Sequence, residues 1–449
     1  MSTTDLVSGQ SRSRSRFWAT TGAVGAWVAT RAVFVLIYAN VIKAPVGNVF
    51  ADVALYQRWG DALLDWRIPL DDPMWQYPPG AAALFWSLRR ISGDSAGAFE
   101  ITFFTLALLA DLLVLLVLLR LARGEGLLLG AWAWAVVVPL LNLLTYARYD
   151  IFATATAVVA LAATVRRPIV AGAVMSVGAL VKVWPALLLI SSRPLGGLRP
   201  VLGGFAVTLA VLGGALTLAF SNAWSGFTGN QSDRGLQIES VGATPLVLTR
   251  LHDHTIEIRY VYGALEFVDH PFVRPATVVL PVLTVLGLGV LAVWWLVRGR
   301  RVVWTSALGF DIALLTVLMT VVTSRVFSPQ YMLWLIGVAA VCLSRRDTTQ
   351  RVPSALLIVA TALTSALFPW YYAQVSADPD WPGTALLVVR NALVVTALGV
   401  GLYTLTRGAR TPPGAGSPSS GRVTTGGTGG GAPTDPDDHA PRPATVAVD

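Results

Sequence analysis

Residues 172–189 read GAVMSVGALVKVWPALLL. The stretch is apolar except for one cation, Lys182, and it carries a helix breaker, Pro185, three residues later. Arg166 and Arg167 precede it; Arg193 and Arg199 follow it. Arginines that flank membrane segments favour the cytoplasmic side. Both ends of the segment 169–192 therefore lie on one side, and the chain enters the membrane there without crossing it. The segment reads as a re-entrant hairpin or as two short helices. Lipid offers no hydrogen bonds, so backbone that is irregular at membrane depth must line a cavity walled by protein.

The rest of the chain agrees with a membrane reading. Of its 449 residues, 54% are hydrophobic and 13% are charged. A soluble domain has about twice that charge. The mean hydropathy is +0.63. These values exclude an ordinary soluble enzyme and a disordered chain. The net charge of +8 sits mainly in arginines at segment ends, which is topology and no sign of a nucleic-acid partner. Crossing a hydrocarbon core of ~30 Å takes about 20 apolar residues. Candidate spans are 17–42, 99–121, 127–145, 150–165, 201–221, 275–297, 302–322, 329–343, 352–370 and 384–406. With the broken element they predict an all-α polytopic membrane protein of about 10–11 transmembrane segments. Arg120 and Arg123, Arg298 to Arg301, Arg345 and Arg346, and Arg407 and Arg410 fall on the cytoplasmic side. The first apolar run is too long for a signal peptide, so residues 1–16 read as a cytoplasmic tail before a retained helix. Residues 17–406 form the membrane domain. Residues 407–449, rich in Gly, Pro, Ser and Thr, read as a disordered cytoplasmic tail. The single cysteine, Cys342, precludes any disulfide within the chain.

This orientation leaves two substantial extracytoplasmic loops, 43–78 and 222–274, and a shorter one, 371–383, which together hold 13 of the 25 acidic residues. Transporters keep their chemistry at the bilayer midplane. Polar chemistry gathered outside favours an enzyme, with a transporter or flippase of lipid-linked sugars as the alternative. In the first loop Asp52 is followed by Tyr56 one helical turn later, so the two share a face. Asp52 reads either as a carboxylate positioned to take a proton from a hydroxyl or as a helix cap. Tyr77-Pro-Pro opens an amphipathic segment, 79–90, too short to span.

The order Asp52-x-x-x-Tyr56-x-x-x-Gly60, then Pro69-Leu70, then Tyr77-Pro-Pro resembles glycosyltransferase family 87, within the GT-C superfamily of membrane glycosyltransferases. Two later pieces also resemble it: the Gly-rich run 172–189 with its Lys and Pro, and Ser328-Pro-Gln-Tyr331. Together they cover roughly residues 20–345. The resemblance implies a GT-C-like fold and a transferase that takes a sugar from a polyprenyl-phosphate donor with inversion. The acceptor would be a glycolipid or cell-envelope glycan at the outer face of the plasma membrane. Mannose is the family default; arabinose or another lipid-linked sugar is the alternative. The resemblance also implies that Asp52 is the catalytic carboxylate, with Asp61, Asp65, Asp71 and Asp72 as rivals in the same loop.

A lipid-phosphate leaving group needs cations. Arg325, just before the Ser-Pro-Gln-Tyr turn, fits that role or anchors a helix end. Arg148 fits it too, or pairs with Asp150. Lys182 fits it, or pairs inside the membrane with Asp111 or Asp311, and Arg31 poses the same choice. Substrate contacts are expected from Tyr56, Trp59, Tyr77, Asp150, Gln231, Arg234, Gln237, Glu239, Gln330 and Tyr331, with Trp75 as a further sugar-stacking candidate. His252-Asp-His254 lacks a third fixed ligand, so no metal and no cofactor are assigned.

Overall fold

The computed structural model describes residues 3–44, 47, 49–124, 126–194, 196–220, 222, 224 and 234–408, with side chains from Ser15 onward. The expected tail beyond 408, and the candidate Gln231, lie outside the described residues. The elements follow the apolar runs. Helix α1 is Thr3–Tyr38, α2 Ala51–Leu64, α3 Pro79–Ser92 and α4 Ala96–Leu121. Helix α5, Leu129–Val137, continues as a tighter turn to Tyr146, and α6 is Asp150–Thr164. Helix α7, Pro168–Val181, is followed by a 3-10 segment, Trp184–Ser191. Then come α8 (Leu198–Ala219), the short α9 (Thr244–Thr249), α10 (Val273–Arg298), α11 (Ser306–Val322), α12 (Tyr331–Leu343), α13 (Arg351–Ser365), α14 (Ala373–Ser376) and α15 (Trp381–Gly408).

Among the described residues, seven helical stretches are long and apolar enough to cross a membrane, and four shorter apolar helices (α6, α7, α11 and α12) accompany them. Helices α6, α11 and α12 form the middle of the bundle, while α7 leaves Ile169, Val170 and Val177 exposed. Helices α11 and α12 are buried on nearly every face, the condition of a helix that is apolar all round. By contrast α10 turns apolar side chains outward, with Val285 70% and Val290 72% exposed. An exposed stripe of this kind suits lipid.

The break expected near Lys182 is present. Lys182 leaves the helix in an extended conformation, φ −154° and ψ 127°, and the tighter Trp184–Ser191 turn runs on from there. Ahead of the site, α3 begins on Pro79 after an extended Pro78 and stops at Gly93, whose φ is +65°. Its Gly80 lies against the backbone of Leu180, 2.5 Å from where a Cβ would stand. That approach brings the Tyr-Pro-Pro turn up to the break at Lys182.

Two intramembrane pairings differ from expectation. Asp111 is bound by Arg31, at 2.8 Å, and not by Lys182. Asp311 is held by Thr348 and Thr349 at the far end of the bundle. Lys182 pairs instead with Asp150. Sequence shows that an interior charge needs a partner; only packing shows which one.

The loops sort into two ends. At one end Gln76 reaches Tyr262, and Arg250 donates to the Val375 carbonyl. At the other, Leu127 bonds Ser344 and Trp295 bonds Ser192, in turns that carry the arginine clusters. The segment 234–267, expected within an extracytoplasmic loop, also contains a sheet that the all-α reading lacked. Strands β1 (Leu236–Gln237), β2 (Ile258–Val261) and β3 (Ala264–Phe267) pair antiparallel in the order β1-β3-β2.

Candidate active site

A cavity of about 550 Å³ lies where the broken element, the first loop and the sheet meet. Helix α2 supplies Asp52 and Tyr56, and the following loop supplies Gln76 and Tyr77. The α5–α6 turn gives Tyr149 and Asp150, the break gives Lys182 and Trp184, and the α11–α12 link gives Ser328, Gln330 and Tyr331. Arg234 and the β2–β3 tip complete the outer rim, and α10 contributes Thr284 and Leu288.

Two ion pairs border this space. Arg148 Nη1 lies 3.0 Å from Asp52 Oδ2, and Lys182 Nζ lies 2.7 Å from Asp150 Oδ1. The expected Arg148–Asp150 pair is thus replaced by two crossed pairs. Asp52 is the second residue of α2, whose cap position is Phe50, so the capping role is set aside. Its side chain keeps 29% exposure toward the cavity. Burial among protein groups pushes its carboxyl above the ordinary range; Asp150 pushes the same way, while Arg148 and Lys182 oppose it. Arg148 is turned away from the cavity, donating also to the carbonyls of Val49 and Ala147.

Asp150 is nearly buried, and its Oδ1 also accepts from Trp334 Nε1 at 2.7 Å. Its Oδ2 is buried and has no hydrogen-bond partner among the described residues. Lys182 sits inside an aromatic box: Nζ is 4.5 Å from the Tyr149 ring, 5.0 Å from Trp334 and 5.5 Å from Tyr331. Trp184 and Tyr331 stack on the two sides of Trp334. Aromatic faces stabilise a cation that has left water.

Of the expected site residues, Asp52, Tyr56, Tyr77, Asp150, Lys182, Arg234, Gln330 and Tyr331 line this one cavity. Others stand apart. Trp59 packs among Tyr56, Trp75 and Tyr77 and donates to Asp72, and Trp75 is fully buried beside it. Asp61 binds Arg89. Gln237 bonds Ser328 and the Phe327 N–H, which makes it a support for the link. Glu239 is buried against Arg390 at 3.1 Å, and burial raises its carboxyl to about 7. Arg325 donates to the Arg234 carbonyl and lies off the lining, while Arg234 itself reaches it. Sequence reasoning missed Tyr149, Trp184, Trp334, Tyr260 and Tyr262. Trp334 carried a signal, since it stands one turn beyond Tyr331. Among the described residues, no three His, Cys, Asp or Glu side chains converge as metal ligands.

Bundle and cavity together define a polytopic membrane protein with its polar chemistry collected at one end. Residues 75–324 match the model of Glycosyltransferase family 87, and since that is more than half of the chain, the chain belongs to this family. It is a membrane glycosyltransferase. The match includes Tyr77, Asp150, Lys182 and Arg234 and leaves Asp52 and Ser328–Tyr331 beyond its ends, a narrower reach than the resemblance read over 20–345. No curated protein and no solved structure matches the chain.

Proposed function

We propose that the protein transfers a sugar, with inversion, from a polyprenyl-phosphate donor to a hydroxyl of a glycolipid or cell-envelope glycan at the outer face of the plasma membrane. The observation that carries this reading is the meeting of a cavity-facing carboxylate, Asp52, with two cations, Lys182 and Arg234, in one cavity. Asp52 takes the proton of the acceptor hydroxyl. The acceptor oxygen forms a bond to the anomeric carbon as the bond from that carbon to the phosphate oxygen breaks. Negative charge grows on the departing polyprenyl phosphate, and Lys182 and Arg234 offset it. Asp150 positions Lys182. Tyr56, Tyr77, Gln330 and Tyr331 shape the sugar site. The donor is lipid-linked and the proposed reaction uses no cofactor. Mannose is the first sugar to test and arabinose the second. The N- and C-termini are assigned to the cytoplasm by the arginine-rich turns.

The test compares membranes holding equal folded amounts of wild type and Asp52→Asn, given radiolabelled polyprenyl-phosphate mannose and a lipid extract. Transfer by wild type that is lost in the variant supports reaction and base together. Equal transfer by both removes Asp52 from the mechanism. Transfer by neither, repeated with lipid-linked arabinose, overturns the donor class.

A further inference from the structure

The β2–β3 hairpin plays no part in the chemistry above, yet its tip closes the outer side of the cavity. Tyr260, Tyr262 and Gly263 line the cavity there. The turn is tight: Tyr262 has φ +52° and Gly263 φ +74°, the pair of left-handed conformations that a two-residue hairpin loop demands. The base of the sheet is fixed. Glu266 on β3 is fully buried and accepts from Arg234 Nε at 3.0 Å and from the Gly235 N–H at 2.7 Å. Gln237, paired with Glu266, donates its N–H to the Arg325 carbonyl at 3.0 Å. The sheet is thereby mounted on the α11–α12 link. On the opposite wall Gln76 Nε2 donates to the Tyr262 carbonyl at 3.3 Å.

The cavity thus has two unlike approaches. On the α10 side its lining, Thr284 and Leu288, belongs to a helix whose outer surface is apolar and exposed. A lipid tail suits that side. On the hairpin side Tyr260 is 63% exposed, and nothing stands within 4 Å of where a Cβ on Gly263 would be. Water and polar molecules suit this side. Tyr260 and Tyr262 present aromatic rings there, with the Gln76 amide and Met74 opposite.

We propose that the hairpin tip is the acceptor subsite, and that the acceptor it recognises is a glycan. Tyr262 and Tyr260 stack on the C–H faces of its sugar rings, the tyrosine hydroxyls bond its hydroxyls, and its terminal hydroxyl is delivered toward Asp52. The donor's lipid uses the other approach. This inference rests on the transferase reading of the cavity and adds the class of acceptor and its specificity-determining residues.

The test uses the full chain purified in lipid nanodiscs. Binding of manno-, arabino- and gluco-trisaccharides is measured by saturation-transfer NMR for wild type, Asp52→Asn, Tyr262→Ala, Tyr262→Phe and Tyr260→Ala. At least one trisaccharide binds wild type and Asp52→Asn alike, loses about tenfold in affinity with Tyr262→Ala, and loses less than about threefold with Tyr262→Phe, which keeps the ring. In transfer assays Tyr262→Ala raises the acceptor KM by about tenfold and leaves the donor KM within about twofold. Should Tyr262→Ala fail to fold, the exposed Tyr260→Ala carries the same split with a smaller factor. The proposal is overturned if no trisaccharide binds wild type, or if the tyrosine variants raise the donor KM instead. Donor turnover by wild type against Asp52→Asn is read separately, so either result leaves the transferase reading to stand or fall alone.

Discussion

Two of the charged networks inside this bundle are finished to different degrees. Around Asp111 everything is paired. Its carboxylate accepts from Arg31 Nε and Nη2, from the indoles of Trp27 and Trp134, and from the Tyr146 hydroxyl, all at 2.6–3.1 Å. Arg31 uses its remaining donors on Thr30 and the Ala135 carbonyl. Neither residue reaches the cavity. Around Asp52 and Asp150 the pairing is incomplete, with one oxygen of Asp150 lacking a partner among the described residues and Asp52 open to the cavity. A saturated network holds helices together; an unsaturated one leaves capacity for a substrate. Charge inside a membrane protein is therefore a poor guide to catalysis until its partners are counted.

The contrast can be broken by mutation. Asp52→Asn is expected to lower transfer by about a thousandfold with a nearly unchanged unfolding midpoint, measured on matched membranes. Asp111→Leu should do the opposite. It strands Arg31 in the interior and costs about 3–5 kcal/mol of stability, whereas the double variant Arg31→Met/Asp111→Leu recovers most of the loss with transfer intact. Persistence of full stability in Asp111→Leu would erase the distinction. Lys182→Met should reduce kcat by about a hundredfold, since leaving-group charge then loses a cation; a change confined to acceptor KM would remove Lys182 from that role.

Two pH experiments sharpen the comparison further. Asp52 must be ionised to take a proton, and its carboxyl is raised by burial. Plots of kcat/KM for wild type should fall as pH drops through a value above the ordinary ~4, and the residual activity of Asp52→Asn should lack that limb. The smallest effect concerns Glu239, whose folded-state carboxyl is raised to about 7 from an unfolded value of about 4.3. Its contribution to stability is fully present below the unfolded value and is lost as pH rises through about 7. Glu239→Gln should therefore flatten the decline of the unfolding midpoint between about pH 4 and about pH 7, whatever its absolute offset. An unchanged decline would exclude Glu239 as its source.

What the sequence disclosed follows from which forces are local. Apolar runs and flanking arginines mark spans because solvation acts on each segment alone, so the short helices α6 and α12 and the break at Lys182 are legible. Partners of charges are not local: Lys182 finds Asp150 and Arg31 finds Asp111 across helix contacts that no spacing encodes. Neighbours on one helix also diverge. Tyr56 faces the cavity, while Trp59, three residues on, is turned into an aromatic cluster and tied to Asp72. The hairpin escaped notice because four-residue strands give too little alternation, although Tyr262-Gly263 was a turn signal in plain view.

At Gly80, helix α3 and the broken element touch with no side chain between them. Tyr77 and Lys182 are each only a few residues from that contact. A methyl group at position 80 would act as a shim, driving apart the turn that carries Tyr77 and the element that carries the proposed phosphate ligand. The gap that a sugar must bridge in this protein is gauged by an atom that glycine does not have.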